Sequence, residues 1–148
     1  MRIGLTAGDP NGIGIETIIR VFEDERMLSE LTPILYASSS LVSSNLEAMG
    51  IKNLNWTAID SAEDAKPGRL NVVSVDTEDF KPNPGELTSE AGGYSFRSLE
   101  KAVDDLASTK TEVIVTAPIN KDAITQAGFK FPGHTEYLAH MANADDVL

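Results

Sequence analysis

Residues Val113–Lys121 read V-I-V-T-A-P-I-N-K. The three β-branched residues do not alternate with polar ones, which predicts a strand covered on both faces. Thr116 then leaves that strand at its C-terminal end. Open α/β sheets bind ligands in crevices at that end of their strands. Pro118 shapes a turn there, and Asn120 is a residue type that caps helices. Lys121 has two readings: a cation reaching toward a phosphate or carboxylate, or a solvated first-turn residue. On spacing alone the second is the more ordinary.

The same alternation extends outward in both directions. Toward the C-terminus, Asp122–Ala127 predicts a short helix closed by Gly128, and a last helix begins near His134. Toward the N-terminus, Phe96, Leu99, Val103 and Leu106 mark one face of a helix running from about Ser89. Its Gly92-Gly93 pair costs about 1 kcal/mol per glycine relative to alanine if both are helical; otherwise the pair sits at the helix entry. Lys81–Glu86, K-P-N-P-G-E, is a loop. Strands are predicted at Arg2–Thr6, Thr32–Ala37 and Leu70–Val75, with a weaker one at Asn55–Ile59. Ile15, Ile18, Ile19 and Phe22 form one helical face, and Val42, Leu46 and Met49 mark a helix ending at Gly50. Strands alternating with helices predict an α/β fold around a largely parallel sheet. Ala144–Leu148 reads as a loop entering another buried strand, so the chain reads as the N-terminal part of a longer protein.

Composition narrows the classes. Twelve basic and 23 acidic residues give a net charge of −11. That argues against non-specific binding to nucleic acid or to an anionic membrane. No apolar run approaches the roughly 18–20 residues that span a bilayer. The N-terminus turns polar too soon for a signal peptide. There are no cysteines, so neither disulfides nor thiolate zinc sites can form. A cytoplasmic location is the expectation.

Two further stretches carry candidate chemistry. Gly8–Gly14, G-D-P-N-G-I-G, lies between a predicted strand and a predicted helix. Such a loop can present backbone N–H groups to an anion. However, Thr17 stands where the dinucleotide fingerprint needs its third glycine, and no Gly-Lys-Ser/Thr follows. A tight turn is the simpler reading. Gly133-His134-Thr135-Glu136 opens the last helix, where His134 or Thr135 can join free N–H groups in holding an anion. Histidine also suits proton transfer near neutral pH. His134 and His140 lie six positions apart, so on a helix their rings diverge by about 120° and do not readily chelate one ion. The expected metal ligand set within this chain is therefore none.

The opening block Thr6–Gly14, the block Thr116–Lys121 and the block Phe131–Leu138 together resemble the 4-hydroxythreonine-4-phosphate dehydrogenase family of vitamin B6 biosynthesis. Order and spacing agree along the whole chain. Ile15 departs from the family's usual proline after Gly-Ile-Gly. Proline favours the first helical position, so its loss affects little beyond preorganisation. The resemblance implies an isocitrate/isopropylmalate dehydrogenase-like fold of two α/β domains with a cleft between them. It implies oxidation of a phosphorylated hydroxy-amino acid with NAD, followed by loss of carbon dioxide. It implies a divalent metal (Zn, Mg or Co), whose histidine ligands would lie beyond Leu148, and a homodimer. It carries substrate contacts onto His134 and Thr135, near the phosphate, while Lys121 is a candidate contact by its position alone. A related dehydrogenase of another phosphorylated hydroxy acid, such as phosphothreonate, and a non-catalytic anion-binding domain are the alternatives.

Overall fold

The structure is a computed structural model that describes residues 1–75 and 80–144. Five strands form one sheet: β1 (Arg2–Thr6), β2 (Thr32–Tyr36), β3 (Trp56–Ile59), β4 (Leu70–Val73) and β5 (Val113–Val115). Their order is β3-β4-β2-β1-β5, and every pairing is parallel. Helices α1 (Gly14–Phe22), α2 (Glu25–Glu30), α3 (Ser39–Met49), α4 (Ser89–Ala107), α5 (Lys121–Gln126) and α6 (His134–Ala142) complete the chain, with a short 3-10 turn at Ala62–Asp64.

Alternation along the strands separates two cores. Ile3, Leu5, Leu35, Leu70 and Val72 point to one face and pack with Ile15, Ile19 and Phe22 of α1 and Leu41 and Val42 of α3. Ile34, Tyr36 and Val73 point to the other, where Ala102 of α4 meets them. Parallel strands require such two-sided cover. Gly4 sits on the α4 face, where a Cβ would lie 3.2 Å from both the Ile114 and Tyr36 side chains. Asp105 of α4 is buried and ties the helix end down: Tyr36 Oη donates to it at 3.0 Å and Lys110 Nζ at 3.1 Å. That carboxylate and burial push the Tyr36 pKa up, burial being the larger cause.

A third cluster docks the last two helices. Ile124, Phe129 and Tyr137 pack with Leu99 and Val103 of α4, bordered by Phe96, Phe131 and Leu138. Aromatic pairs run through it, Phe96 on Phe129 at 5.2 Å and Phe131 on Tyr137 at 5.4 Å between ring centroids. Such tilted and edge contacts add about 0.5–1.5 kcal/mol each beyond area burial. They fix the start of α6 relative to the sheet.

The largest departure from the sequence expectation concerns β5. It was expected to be covered on both faces, yet it is an edge strand and Val115 is 49 % exposed. β-Branching reports a fit to pleated backbone, not how many neighbours cover it. Boundaries shift slightly: β2 stops at Tyr36, β3 begins at Trp56, β4 stops at Val73, and α5 runs Lys121–Gln126 rather than 122–127. Helix α2 was not foreseen; its six residues are too few to show a periodicity, although Asp24 caps it by accepting from the Arg26 amide at 3.0 Å. The strand anticipated at the end of the chain falls on 145–148, outside the described residues.

Candidate functional site

The loops leaving β1 and β5 meet at the carboxyl end of the sheet. The Asp9 amide donates to the Pro118 carbonyl at 2.8 Å, and the Ala117 amide donates to Thr6 Oγ1 at 3.1 Å. Gly8 makes this approach possible: its φ is +65°, and a Cβ there would lie 2.3 Å from the Pro118 oxygen. Part of the glycine-rich loop is spent within the fold. Its Asp9, Asn11 and Gly12 amides are already bonded, to Pro118, to the Asp9 carboxylate and to the Asp9 carbonyl. The tight-turn reading of Gly8–Gly14 therefore holds. Asn11 gives the loop a structural task. Its side chain donates to the Glu86 carbonyl and accepts from the Asn83 amide, both at 2.8 Å, which pins the Lys81–Glu86 loop.

From the Pro118 turn the chain enters α5. Asn120 caps that helix by accepting from the Asp122 and Ala123 amides, both at 3.1 Å. Lys121 is the first helical residue and is exposed. Its Cε lies 4.0 Å from where a Cβ would stand on Gly133. So the lysine, 12 positions earlier in the chain, lies alongside the start of α6. The ordinary reading of Lys121 as first-turn and solvated is correct about its exposure, but that reading had no way to include this neighbour.

Helix α6 begins differently. Gly133 is its N-cap and offers no side-chain hydrogen bond. Among the described residues the amides of His134, Thr135 and Glu136 make no hydrogen bond; the first bonded one is Tyr137, to the Gly133 carbonyl at 3.3 Å. Free N–H groups and the positive end of the helix dipole favour an anion there. Thr135 is exposed. His134 is half-buried, and its Nε2 is enclosed without a hydrogen-bond partner among the described residues. Burial pushes its pKa below the ordinary value, so the ring is neutral near pH 7, with one nitrogen donating and one accepting. Glu136 is the residue that motif reading left without a role: its Oε2 lies 3.3 Å from the Cβ position on Gly133, beside the same amides. His140 faces elsewhere, against the Phe131 ring at 5.1 Å.

No group of three His, Cys, Asp or Glu side chains among the described residues could hold a metal ion. Among them, too, no helix is long and apolar enough to cross a membrane.

An open parallel sheet carrying a lysine and an unpaired helix start near its strand ends defines an α/β protein with a candidate anion site. More narrowly, the chain belongs to the family of the pyridoxal phosphate biosynthetic protein PdxA, whose family model matches residues 29–148. It is 38 % identical over 138 residues to a 4-hydroxythreonine-4-phosphate dehydrogenase of Bacteroides thetaiotaomicron, covering 93 % of this chain and 38 % of that protein. It is 33 % identical over 147 residues to a D-threonate 4-phosphate dehydrogenase of Pectobacterium atrosepticum, covering 97 % of this chain and 45 % of the relative. The crystal structure of a 4-hydroxythreonine-4-phosphate dehydrogenase from Burkholderia phymatum superposes with a TM-score of 0.84 at 29 % identity, over 98 % of this chain and 44 % of that one. The chain thus spans less than half the length of these relatives.

Proposed function

We propose that the chain is the N-terminal α/β portion of a two-domain, NAD-dependent dehydrogenase of a phosphorylated hydroxy acid. The substrate of choice is 4-phosphohydroxy-L-threonine, whose secondary alcohol is oxidised to a β-keto acid. Loss of carbon dioxide then leaves 3-amino-2-oxopropyl phosphate. The observation that carries this reading is the gathering of Lys121, His134 and the free amides of α6 around Gly133. In it the α6 amides and the Thr135 hydroxyl hold the phosphate oxygens, Lys121 offsets their charge, and His134 donates one further hydrogen bond. Bound NAD supplies the hydride acceptor. No step is assigned to a metal here, because the described residues do not assemble a ligand set. A divalent ion, a second domain and a homodimer interface belong, in this reading, to the longer protein, and a cytoplasmic location accompanies them.

The Pectobacterium relative supports a second substrate, D-threonate 4-phosphate, at comparable identity. Both substrates present a phosphate, so the site around Gly133 serves either. Turnover of each by the longer protein separates them.

The test is His134→Ala in the longer protein. A hydrogen bond to a charged acceptor contributes about 1.5–3 kcal/mol, so kcat/KM should fall about 10- to 150-fold. Thr135→Val should show a smaller loss, and zinc affinity by calorimetry should stay at the wild-type value in both. A large drop in zinc affinity with phosphate-analogue binding preserved would overturn the assignment. The 148-residue chain alone should produce no NADH from either substrate.

A further inference from the structure

The glycine-rich loop holds a reactive dipeptide, Asn11-Gly12. In an open chain the Gly12 nitrogen attacks Asn11 Cγ, because glycine carries no side chain to hinder the approach. A nitrogen–carbon bond forms, the Cγ–Nδ2 bond breaks, and ammonia leaves with the Gly12 amide proton. Water then opens the cyclic imide to aspartate or isoaspartate. In the fold the reacting groups are engaged. Asn11 is 4 % exposed. Its Nδ2 donates to the Glu86 carbonyl at 2.8 Å and to Thr88 Oγ1 at 3.4 Å, and its Oδ1 accepts from the Asn83 amide at 2.8 Å. The Gly12 nitrogen donates to the Asp9 carbonyl at 3.0 Å, and the Asn11 carbonyl accepts from the Gly85 amide at 2.8 Å. The packing does not require this glycine. Among the described residues, a Cβ on Gly12 would find its nearest contact in the Asp9 oxygen at 3.4 Å, whereas on Gly8 and Gly14 it would lie 2.3 Å and 2.6 Å from a backbone oxygen.

We infer that Asn11 is a spontaneous deamidation site held closed by the segment 83–88, and that its conversion releases this segment irreversibly. Asn83, Glu86 and Thr88 supply the partners that fix Oδ1 and Nδ2, so the attack requires the segment to lift first. A surface loop lifts by local opening, at a lower free energy than global unfolding. The product cannot close the clamp again. An aspartate at position 11 has no N–H for the Glu86 carbonyl or for Thr88, and it sets a negative charge against that carbonyl oxygen. Isoaspartate in addition inserts a methylene into the backbone. Thr88 also caps α4 by accepting from the Ala91 amide at 3.2 Å, so the released contact adjoins the helix start on which α5 rests. The inference does not depend on which reaction the protein performs.

The test is peptide mapping by mass on the longer protein, aged at mildly alkaline pH in native buffer and in urea that unfolds it. The tryptic peptide Ile3–Arg20 carries Asn11 as its sole amide side chain, so its amide-to-acid mass gain reports this site alone. Conversion should run at least about 100-fold more slowly in native buffer, equivalent to an opening free energy of about 2.8 kcal/mol. Equal rates in the two would overturn the inference, and so would a peptide that stays amidated in urea. Asn83→Pro removes the amide that bonds Asn11 Oδ1. It should speed the native reaction about fivefold, the scale of one hydrogen bond, and leave the urea rate unchanged. An unchanged native rate would argue against the clamp. Gly12→Ala should sharply slow the reaction in urea while leaving the melting temperature at the wild-type value; an unchanged urea rate would exclude attack by the Gly12 nitrogen. Asn11→Asp copies the product and should let the Asn83 and Gly85 amides exchange faster than in wild type. Exchange at the wild-type rate would refute the release.

Discussion

Replacing Gly92 by alanine should loosen the candidate site from a distance. Gly92 lies in the first turn of α4, where its amide donates to the Thr88 carbonyl at 3.1 Å. A Cβ there would stand 2.0 Å from the Ala123 oxygen, 2.2 Å from the Ala123 carbonyl carbon and 2.6 Å from the Ile124 nitrogen. All three are backbone atoms of α5, so no side chain can swing aside. Non-bonded carbon contacts are optimal at about 3.5–4.0 Å, so α5 must withdraw by more than 1 Å or so. Overpacking costs about 1–3 kcal/mol, and a backbone clash belongs near 3. Gaining alanine in a helix offsets about 1 kcal/mol. A net loss of about 2 kcal/mol lowers the melting temperature by about 4–8 °C in a chain of this size. Gly93→Ala is the control. Its Cβ meets only the end of Arg97, at 3.1 Å from Nη1, and the Ala127 Cβ at 3.8 Å. It should be neutral or raise the midpoint by a few degrees. Thermal unfolding by circular dichroism reads both. A Gly92→Ala variant as stable as wild type would refute the claim that α4 and α5 touch through this glycine. Since α5 carries Lys121, the same variant should weaken phosphate-analogue binding in the longer protein.

Asp105→Ala leaves the Tyr36 hydroxyl buried without its acceptor, and should cost about 1–3 kcal/mol in urea unfolding. An unchanged midpoint would mean the contact contributes nothing. His134 gives a pH signature. Burial lowers its folded pKa below 6.5, so above 6.5 the ring is neutral in both states and has no effect. As pH falls below 6.5 the unfolded chain takes up the proton first, and stability declines until the folded value is passed. Relative to wild type, His134→Asn should therefore lose less stability over that window; identical pH profiles would contradict it. Lys121→Met should weaken phosphate-analogue binding by about fivefold, the scale of an exposed ion pair of about 1 kcal/mol. It should leave the melting temperature unchanged, and calorimetry with a melting curve checks both.

Residue order alone determined a good deal. The two apolar periods separated strands from helices, and turn residues such as Gly50 and Gly128, both at positive φ in the structure, marked where helices stop. The parallel sheet followed because strands alternate with helices. The motif at Gly133–Glu136 was legible as a helix start with free amides because capping chemistry is local. Tertiary structure decided what depends on distant neighbours. The sequence could not place Lys121 beside Gly133, because that contact is created by Gly92 letting α5 sit against α4. Nor could it tell that the Asp9, Asn11 and Gly12 amides are bonded to Pro118 and Asp9. It misjudged β5 for the same reason: apolar composition records a strand's affinity for cover, whereas its place in the order β3-β4-β2-β1-β5 decides whether these residues supply it.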